Sequence, residues 1–387
     1  MAIRMAHFGN NLSLSVVFKN TIKSPMPPEI RSKVCLVAIS LGKGGAERST
    51  ALLSQMLIMK GYDVHIVILN DLIDYPYSGK LFNLGSEKSE NDTAIKRIIR
   101  FKKLRNYFKT EKFDFIIDNR TRVSAGKEWY YLNYLYKGFK IIYVIRSANL
   151  DMYLPKKKWI VKQMISKSYK IVGVSKHIAK GINTQFSTDK AISIYNPIME
   201  ISETTIEVEG KYIIFVGRLE DDVKNLSLLL DAYSQSCLPE RNIRLLIMGS
   251  GDDHEKLVEK ADKLGISKEV QFVSFKPDVY PYLKNAIFTV LTSRYEGFPR
   301  ALVESLSVGT PLVSVDCVSG PNEIIRNEMN GLLVENFNVT ALAEAMDRMV
   351  TDKELYERCK KNSVKSIDHL SLENIAEDWD KLLKDEK

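Results

Sequence analysis

The 387-residue chain predicts an α/β protein made of two parallel-sheet domains that face each other across a cleft. Three observations carry this expectation. Short apolar, β-branched runs alternate with amphipathic stretches along most of the chain, the pattern of repeated strand, helix, strand units. The runs end in polar or glycine-rich loops, as strands do at the carboxyl edge of an open α/β sheet, where ligands bind. An acidic stretch over residues 200–210 interrupts the alternation and divides it into two series.

The first series opens with a buried strand over 34–40, the turn Leu41-Gly42-Lys43-Gly44-Gly45-Ala46-Glu47-Arg48, a helix over 49–60 stopped by Gly61 and a strand over 63–69. Gly44 and Gly45 let backbone approach a ligand closely, and the helix start adds positive potential. The turn is not GxGxxG, and no acidic residue ends the second strand in the dinucleotide-binding manner, which excludes a hydride-transfer cofactor site. Further strands are predicted at 113–117, 141–145, 171–174 and 191–195, with basic helices between. Their ends carry Asp118-Asn119-Arg120-Thr121-Arg122, Arg146-Ser147 and Ser175-Lys176-His177, polar groups expected to line the cleft. Asn196-Pro197-Ile198 leads into the linker.

The second series begins with a strand over 212–216, followed by Gly217-Arg218-Leu219-Glu220 and by Lys224-Asn225-Leu226 at a helix start. Arg218 and Lys224 would set two cations at the sheet edge, where they could clamp a diphosphate. A strand over 243–248 ends in Gly249-Ser250-Gly251. A helix over 255–263, a strand over 270–275, a helix over 279–284 and a strand over 286–291 follow. The next loop contains Glu296, Gly297, Phe298 and Pro299, and the helix after it, ending at Gly309, carries Glu304 about two turns in. Both carboxylates would then project to one mouth, with the N–H groups of Gly297 and Phe298 between them favouring an anionic or hydroxyl-rich ligand. A strand over 312–315 completes the unit. The expected division is an N-terminal extension over 1–30, a basic first domain over 31–198, a second domain over 199–365 and a terminal segment over 366–387 whose helix crosses back onto the first domain.

Composition narrows the class. Hydrophobic content of 45% with 27% charged residues suits a soluble globular chain with real cores. Cys35, Cys237, Cys317 and Cys359 are scattered without CxxC spacing, so neither a disulfide framework nor a zinc site is indicated, and a reducing compartment fits. No apolar run reaches the roughly 20 residues needed to span a bilayer, and residues 12–18 make a poor signal peptide. The first 200 residues carry more than twice as many Lys and Arg as Asp and Glu, whereas the remainder is net acidic. The runs at 96–105 and 156–162 interleave basic with apolar or aromatic residues, as helices lying on anionic membranes do. No nucleic-acid motif accompanies the charge.

Taken together, Gly44-Gly45-Ala46-Glu47-Arg48, Gly217-Arg218-Leu219 with Lys224-Asn225, Gly249-Ser250-Gly251 and Glu296-Gly297-Phe298-Pro299 through Glu304 resemble the bacterial retaining glycosyltransferases of family 4, the group 1 enzymes. The likeness runs over about residues 34–350 and implies the GT-B fold, two Rossmann-like domains across a cleft, the first (31–198) for the acceptor and the second (199–365) for the nucleotide-sugar donor. By that resemblance Arg218 and Lys224 hold the donor diphosphate and stabilise charge on the leaving nucleotide. Glu304 binds the ribose hydroxyls, and Glu296 sits near the transferred sugar beside Gly297, Phe298 and Pro299. Gly217, Gly249, Gly251 and Phe275 lie around the nucleotide, and Gly44 and Gly45 let the first domain close against the phosphates or the acceptor. Relatives carry a histidine after the strand over 141–145; here Arg146 follows that strand, His177 lies one strand later, and Arg146 is assigned to the cleft. No DxD-like metal cradle is present, so a metal-independent reaction without cofactor is expected, proceeding by front-face attack with Glu296 positioning the sugar.

The stretch Asp316-Cys317-Val318-Ser319-Gly320-Pro321-Asn322-Glu323, ahead of Asn330-Gly331, looks most like the branch using UDP-linked galactose-type or N-acetylhexosamine donors for surface polysaccharides such as capsule, O-antigen or exopolysaccharide. A GDP-mannose-dependent enzyme is the alternative within the class, and a non-catalytic scaffold with the same fold the alternative outside it. The implied partners are a UDP-sugar, a lipid-linked or oligosaccharide acceptor, and an anionic membrane surface reached through the basic domain. That would place a cytoplasmic protein peripherally on the inner face of the membrane. A GT-B phosphorylase is disfavoured because no lysine-centred pyridoxal phosphate motif is evident.

Overall fold

A computed structural model of the chain describes residues 31–42, 44–88, 92–198, 204 and 208–384. The expected extension over 1–30 and most of the acidic linker lie outside the described residues.

The first sheet is built from β1 (Arg31–Ala38), β2 (Tyr62–Ile68), β3 (Lys80–Asn83), β4 (Phe115–Asp118), β5 (Lys140–Ile145), β6 (Lys170–Gly173) and β7 (Ala191–Ser193). Its helices are α1 (Gly45–Met59), α2 (Ala94–Glu111), α3 (Ala125–Tyr130), α4 (Lys158–Lys167) and α5 (Lys176–Phe186). The strand order is β3-β2-β1-β4-β5-β6-β7, and the pairs are parallel. Helices on both faces explain why the strands read as continuous apolar runs: Val34, Cys35, Leu36 and Val37 are all fully buried.

The second sheet is built from β8 (Lys211–Val216), β9 (Ile243–Met248), β10 (Val270–Val273), β11 (Thr289–Leu291), β12 (Leu312–Asp316) and β13 (Gly331–Glu335), in the parallel order β10-β9-β8-β11-β12-β13. Around it lie α6 (Asp221–Lys224), α7 (Leu226–Gln235), α8 (His254–Lys263), α9 (Tyr280–Asn285), α10 (Arg300–Ser307), α11 (Pro321–Ile324), α12 (Val339–Thr351) and α13 (Lys353–Asn362). Each sheet starts in its middle, grows to one edge, then restarts on the other side. The reversal points, β1 beside β4 and β8 beside β11, are where such sheets open a crevice for ligands.

The expected two-sheet α/β architecture holds, with local corrections. β3 and β13 were not expected as strands. β3 is a short edge segment with no fully buried residue, and edge strands lack the apolar run that marks a central one. β13 begins at a glycine that must lie against β12, since a Cβ at Gly331 would come within 2.6 Å of the Leu312 carbonyl oxygen. β10 stops at Val273, because the chain beyond it runs exposed through Phe275. α10 starts only at Arg300, its cap Pro299 being extended, so Glu304 stands one turn into the helix and not two.

α14 (Leu372–Lys384) returns to the first domain. Ile375, Ala376, Trp379, Leu382 and Leu383 are buried. On α14, Asp380 accepts a 2.8 Å hydrogen bond from the Tyr62 hydroxyl, and Glu377 pairs with Lys60 at 2.5 Å.

His65 on β2 is 1% exposed. Its Nδ1 lies 2.5 Å from the Tyr107 hydroxyl, and its Nε2 lies 3.4 Å from Asp63 and 3.8 Å from Glu111, with Lys33 and Lys80 also near. Burial holds its pKa below the ordinary histidine value. A histidine kept neutral in the fold takes up a proton more readily when unfolded, so its contribution is present above about pH 6.5 and is lost as pH falls below that value. Melting curves from pH 7.5 to 5 are expected to show stability dropping through this range, and a His65→Gln variant is expected to flatten the slope. Parallel slopes for the two proteins would remove His65 as the cause.

Candidate active site

The loops that leave β1, β4 and β5 meet those that leave β8, β11 and β12. Lys224, at the end of α6, donates from Nζ to Glu296 Oε1 at 2.6 Å, and the Ser293 hydroxyl donates to the same oxygen at 2.6 Å. Both charged side chains are mostly removed from water, at 15% and 13% exposure. Lys224 is placed by its own carbonyl, which accepts from Thr292 at 2.9 Å. Asn225 follows in a left-handed conformation, φ 51°, which asparagine tolerates, and its side chain accepts from Arg294 at 3.0 Å.

Glu304 bridges the domains. Its Oε1 lies 3.3 Å from Arg48 NH1 on α1 and 3.6 Å from Arg300 NH2, and Arg300 NH1 reaches Ser49 at 3.3 Å. Burial lowers the Arg300 pKa, and it raises that of Tyr280 nearby to about 12, with Glu304 adding to the effect. Arg146 is fastened by Asn196 at 2.7 Å and Asn119 at 2.8 Å. Burial brings its pKa down to about 10, so it stays cationic at neutral pH. Among the described residues, the buried Nε atoms of Arg48 and Arg146 have no hydrogen-bond partner. Burial pushes the Glu47 carboxyl above its ordinary range.

The loop from Glu296 to Pro299 reaches across to the first domain. Ala148 N donates to the Glu296 carbonyl at 3.1 Å. A Cβ at Gly297 would lie 2.0 Å from the Arg146 carbonyl oxygen, so glycine is what permits this approach. Ser319 donates to the Gly297 carbonyl at 2.9 Å and lies 2.7 Å from Ser175 of the first domain. Phe298 is 6% exposed and packs on the Tyr195 ring at 4.8 Å, which makes it interdomain core.

Several residues stand elsewhere than the sequence led one to expect. Arg218 does not join Lys224: its side chain is 62% exposed and pairs with Glu220 at 2.6 Å. Phe275 is 55% exposed. Gly249 and Gly251 permit the β8 and β9 loops to touch, since a Cβ on either would come within 1.7 Å of the Gly217 oxygen or 2.3 Å of the Leu219 oxygen. Gly45 on α1 faces Arg300, whose Cδ would lie 3.9 Å from an added Cβ, while an added Cβ at Gly44 would meet the Glu47 carboxylate at 2.3 Å.

Asp118, Arg120 and Arg122 do not line the cleft. Asp118 accepts from Arg120 at 2.7 Å and from Tyr136 at 3.0 Å, Arg120 reaches Glu128 at 3.1 Å, and Arg122 donates to the Val144 carbonyl at 2.8 Å, all buried. Only Asn119 of that stretch turns to the site, through Arg146.

Four contributors were not assigned a role from sequence. Arg48 and Arg300 flank glycine-rich and proline-ended helix starts, a legible signal. Ser293 had none. Glu323, at the start of α11, accepts from Lys176 N at 2.8 Å, His177 N at 3.0 Å and the Tyr195 hydroxyl at 2.8 Å. A carboxylate from the second domain thereby caps α5 of the first, a favourable place for negative charge. His177 is thus engaged through its backbone. Among the described residues, no group of three His, Cys, Asp or Glu is placed to hold a metal ion, and no helix is long and apolar enough to cross a membrane.

Two family profiles match the chain: "Glycosyltransferase Family 4" over residues 43–199 and "Glycosyl transferases group 1" over residues 199–366. The chain belongs to this glycosyltransferase family. It is 28% identical over 378 residues to the N-acetylgalactosamine-N,N'-diacetylbacillosaminyl-diphospho-undecaprenol 4-alpha-N-acetylgalactosaminyltransferase of Campylobacter jejuni, covering 89% of this chain and 98% of that one. The lipopolysaccharide 1,6-galactosyltransferase of Escherichia coli K12 is 32% identical over 168 residues, 41% of this chain and 45% of that one. Among solved structures, Anabaena HepE in complex with UDP superposes with a TM-score of 0.73 at 15% identity, over 91% of this chain and all of that one. The GT-B fold is thereby established for this glycosyltransferase.

Gly297→Ala is expected to force the loop off the Arg146 carbonyl and to destabilise the protein by about 1–3 kcal/mol, the scale of an overpacked contact. Urea unfolding would measure it; an unchanged midpoint would mean that the two segments do not touch in solution.

Proposed function

We propose that the enzyme transfers a galactose-type sugar or N-acetylhexosamine from a UDP-linked donor, with retention, to a lipid-linked glycan during surface polysaccharide synthesis. The observation that carries this reading is the gathering of Lys224, Glu296, Glu304, Arg48, Arg146 and Arg300 at the two facing carboxyl edges. Breaking the bond between sugar and diphosphate puts growing negative charge on the leaving nucleotide, and fixed cations in a site shielded from water are the strongest means of stabilising it. Lys224 and Arg146 fill that role here, and the unpartnered Nε donors of Arg48 and Arg146 add directional hydrogen bonds. Arg218, exposed beside Glu220, would swing in to join them. With cations supplied by side chains, no metal is required.

Glu296 already accepts from Lys224 and Ser293, which favours a sugar-positioning role over that of a nucleophile and hence front-face attack, the leaving phosphate taking the acceptor proton. Glu304 exchanges Arg48 for the ribose hydroxyls. The lipid-diphosphate acceptor agrees with the activity for which the Campylobacter relative is named, and the UDP donor with the ligand in HepE.

Membrane contact is read from the first domain's surface. On α2, Ile95, Ile98 and Ile99 are 70%, 63% and 49% exposed, and on α4 Trp159 is 57% exposed behind Lys156, Lys157 and Lys158. Part of the α2 charge serves the fold itself: Arg100 is buried against Asp92, and Arg105 bonds the Leu135 and Lys137 carbonyls. The remaining cations and apolar side chains suit a protein lying on the inner face of an anionic membrane.

A thermal-shift panel of UDP, GDP and their sugar conjugates tests the donor, because a ligand bound only by the native state raises its melting temperature. UDP compounds are expected to shift it; a response to GDP alone would move the assignment to mannosyl transfer, and none at all to a non-catalytic scaffold. Lys224→Ala is expected to lower turnover by about 10²–10³-fold, and wild-type rates would sink the charge-stabilising role. Vesicles containing anionic lipid should retain the protein less as salt rises; salt-independent binding would remove the electrostatic part of the membrane reading.

A further inference from the structure

One helix of the first domain is completed by the second. The first three N–H groups of α5, on Lys176, His177 and Ile178, cannot be bonded within the helix, because the Ala179 N–H is the first to reach back, to the Ser175 carbonyl at 3.2 Å. Ile178 N donates instead to the Ser175 hydroxyl at 3.2 Å, inside its own domain. Lys176 N and His177 N donate to the two oxygens of Glu323, at 2.8 and 3.0 Å, and Glu323 stands on α11 of the other domain.

Two routes run from this contact to the loop that carries Glu296. The first is Tyr195, whose hydroxyl donates to Glu323 at 2.8 Å while its ring packs on Phe298 at 4.8 Å. Burial raises the Tyr195 pKa and the bond to Glu323 raises it further, so the hydroxyl keeps the proton it donates. The second route is a pair of buried hydroxyls. Ser319 gives its one hydroxyl hydrogen to the Gly297 carbonyl at 2.9 Å, so it is the acceptor in its 2.7 Å contact with Ser175. The bonds from Ile178 N through Ser175 and Ser319 to Gly297 therefore all point one way, and each polarises the next. Ser319 holds a left-handed backbone, φ 69°, which serine keeps only where its surroundings fix it. Beside it, the Val318 carbonyl accepts from Glu296 N at 3.1 Å.

We propose that the segment 318–323 is an interdomain latch, in which Glu323, Tyr195 and Ser319 are positioning residues that set the Glu296 loop as the domains close. The use made of Glu296 rests on the glycosyltransfer reading of the cleft; the latch goes beyond that reading in naming the groups that register closure. Parting the domains returns the Lys176 and His177 N–H groups and the Glu323 carboxylate to water, takes the Tyr195 ring from Phe298 and leaves Ser319 without Ser175. Glu296 is then held by its own domain alone. Closing restores these contacts together, because a carboxylate with three donors fits one orientation. The carboxylate that positions the sugar thus reaches its place when the cleft is shut, so closure completes the site before chemistry begins.

Amide hydrogen exchange on the full chain, with and without UDP, tests the latch. N–H groups at a free helix start exchange fast, so protection of Lys176 and His177 in the wild type reports the contact with Glu323. Glu323→Ala is expected to speed their exchange at least tenfold. It is also expected to speed that of Ala148, whose N–H is bonded to the Glu296 carbonyl and not to Glu323. Glu323→Gln, which keeps the shape and one acceptor oxygen, should fall between the two proteins. Tyr195→Phe leaves both helix bonds in place and should still speed Ala148. Amides of the central strands β1 and β8 should exchange as in the wild type, which separates opening from unfolding; were they to speed up in Glu323→Ala, Tyr195→Phe decides. Lys176 and His177 unprotected in the wild type with and without UDP would overturn the latch. So would Ala148 exchange unchanged in Glu323→Ala and Tyr195→Phe, which would leave Glu323 a helix cap and nothing more. Failure of UDP to raise the melting temperature, with these exchange patterns intact, would instead count against the donor reading and leave the latch standing.

Discussion

The structure depends on one constraint: charge withdrawn from water where the two sheets meet must find a partner of opposite sign or a ring of hydrogen bonds. An uncompensated buried charge is among the costliest defects a fold can carry. The cleft contains Arg48, Arg146, Lys224 and Arg300 on one side of the balance and Glu296 and Glu304 on the other, contributed by both domains. Arg48 satisfies Glu304 only when the first domain is drawn up against the second. Arg146, having no carboxylate of its own, is fixed by two asparagine oxygens. The closed arrangement is therefore sustained by groups whose chemistry matches that of a nucleoside diphosphate, with carboxylates for hydroxyls and cations for phosphates. Such pairs are replaceable by ligand contacts of the same sign, so the geometry that holds the cleft together also prepares it.

The polar contacts between the domains are small and directional. Glu323 caps α5, Ser319 meets Ser175, Ala148 bonds Glu296, and α14 runs back to Tyr62. Apolar contact between the halves is made by the buried face of α14 and by Phe298 against Tyr195. Interfaces of this character permit relative domain motion. They also set its end point, because two backbone N–H groups at a helix start and a carboxylate with two oxygens fit in one geometry only.

Much of this was legible from residues alone. The strand alternation, the position of Glu296 in a loop after a buried strand, and the position of Lys224 at the carboxyl edge of its sheet follow from local pattern, since apolar runs and turn residues report locally determined structure. What failed was whatever depends on partners distant in sequence. Asp118, Arg120 and Arg122 looked like cleft residues because they end a strand, yet they neutralise one another in the interior. Arg218 sat in a recognisable motif but is turned to solvent beside Glu220. β3 carries no apolar signature because only one of its edges is paired within the sheet. Glu323 gave no hint of its role, because its ligands are the N–H groups of a helix 146 residues earlier.

The charge asymmetry between the two halves resolves once each cation is assigned. Arg100, Arg105, Arg120, Arg122 and Arg146 are consumed by the fold or the cleft, whereas Lys156, Lys157 and Lys158, leading into α4, are exposed beside Trp159. The cations taken up by the interior and the cleft are each held in one geometry by short hydrogen bonds, whereas those left on the surface act at long range, where no geometry is needed.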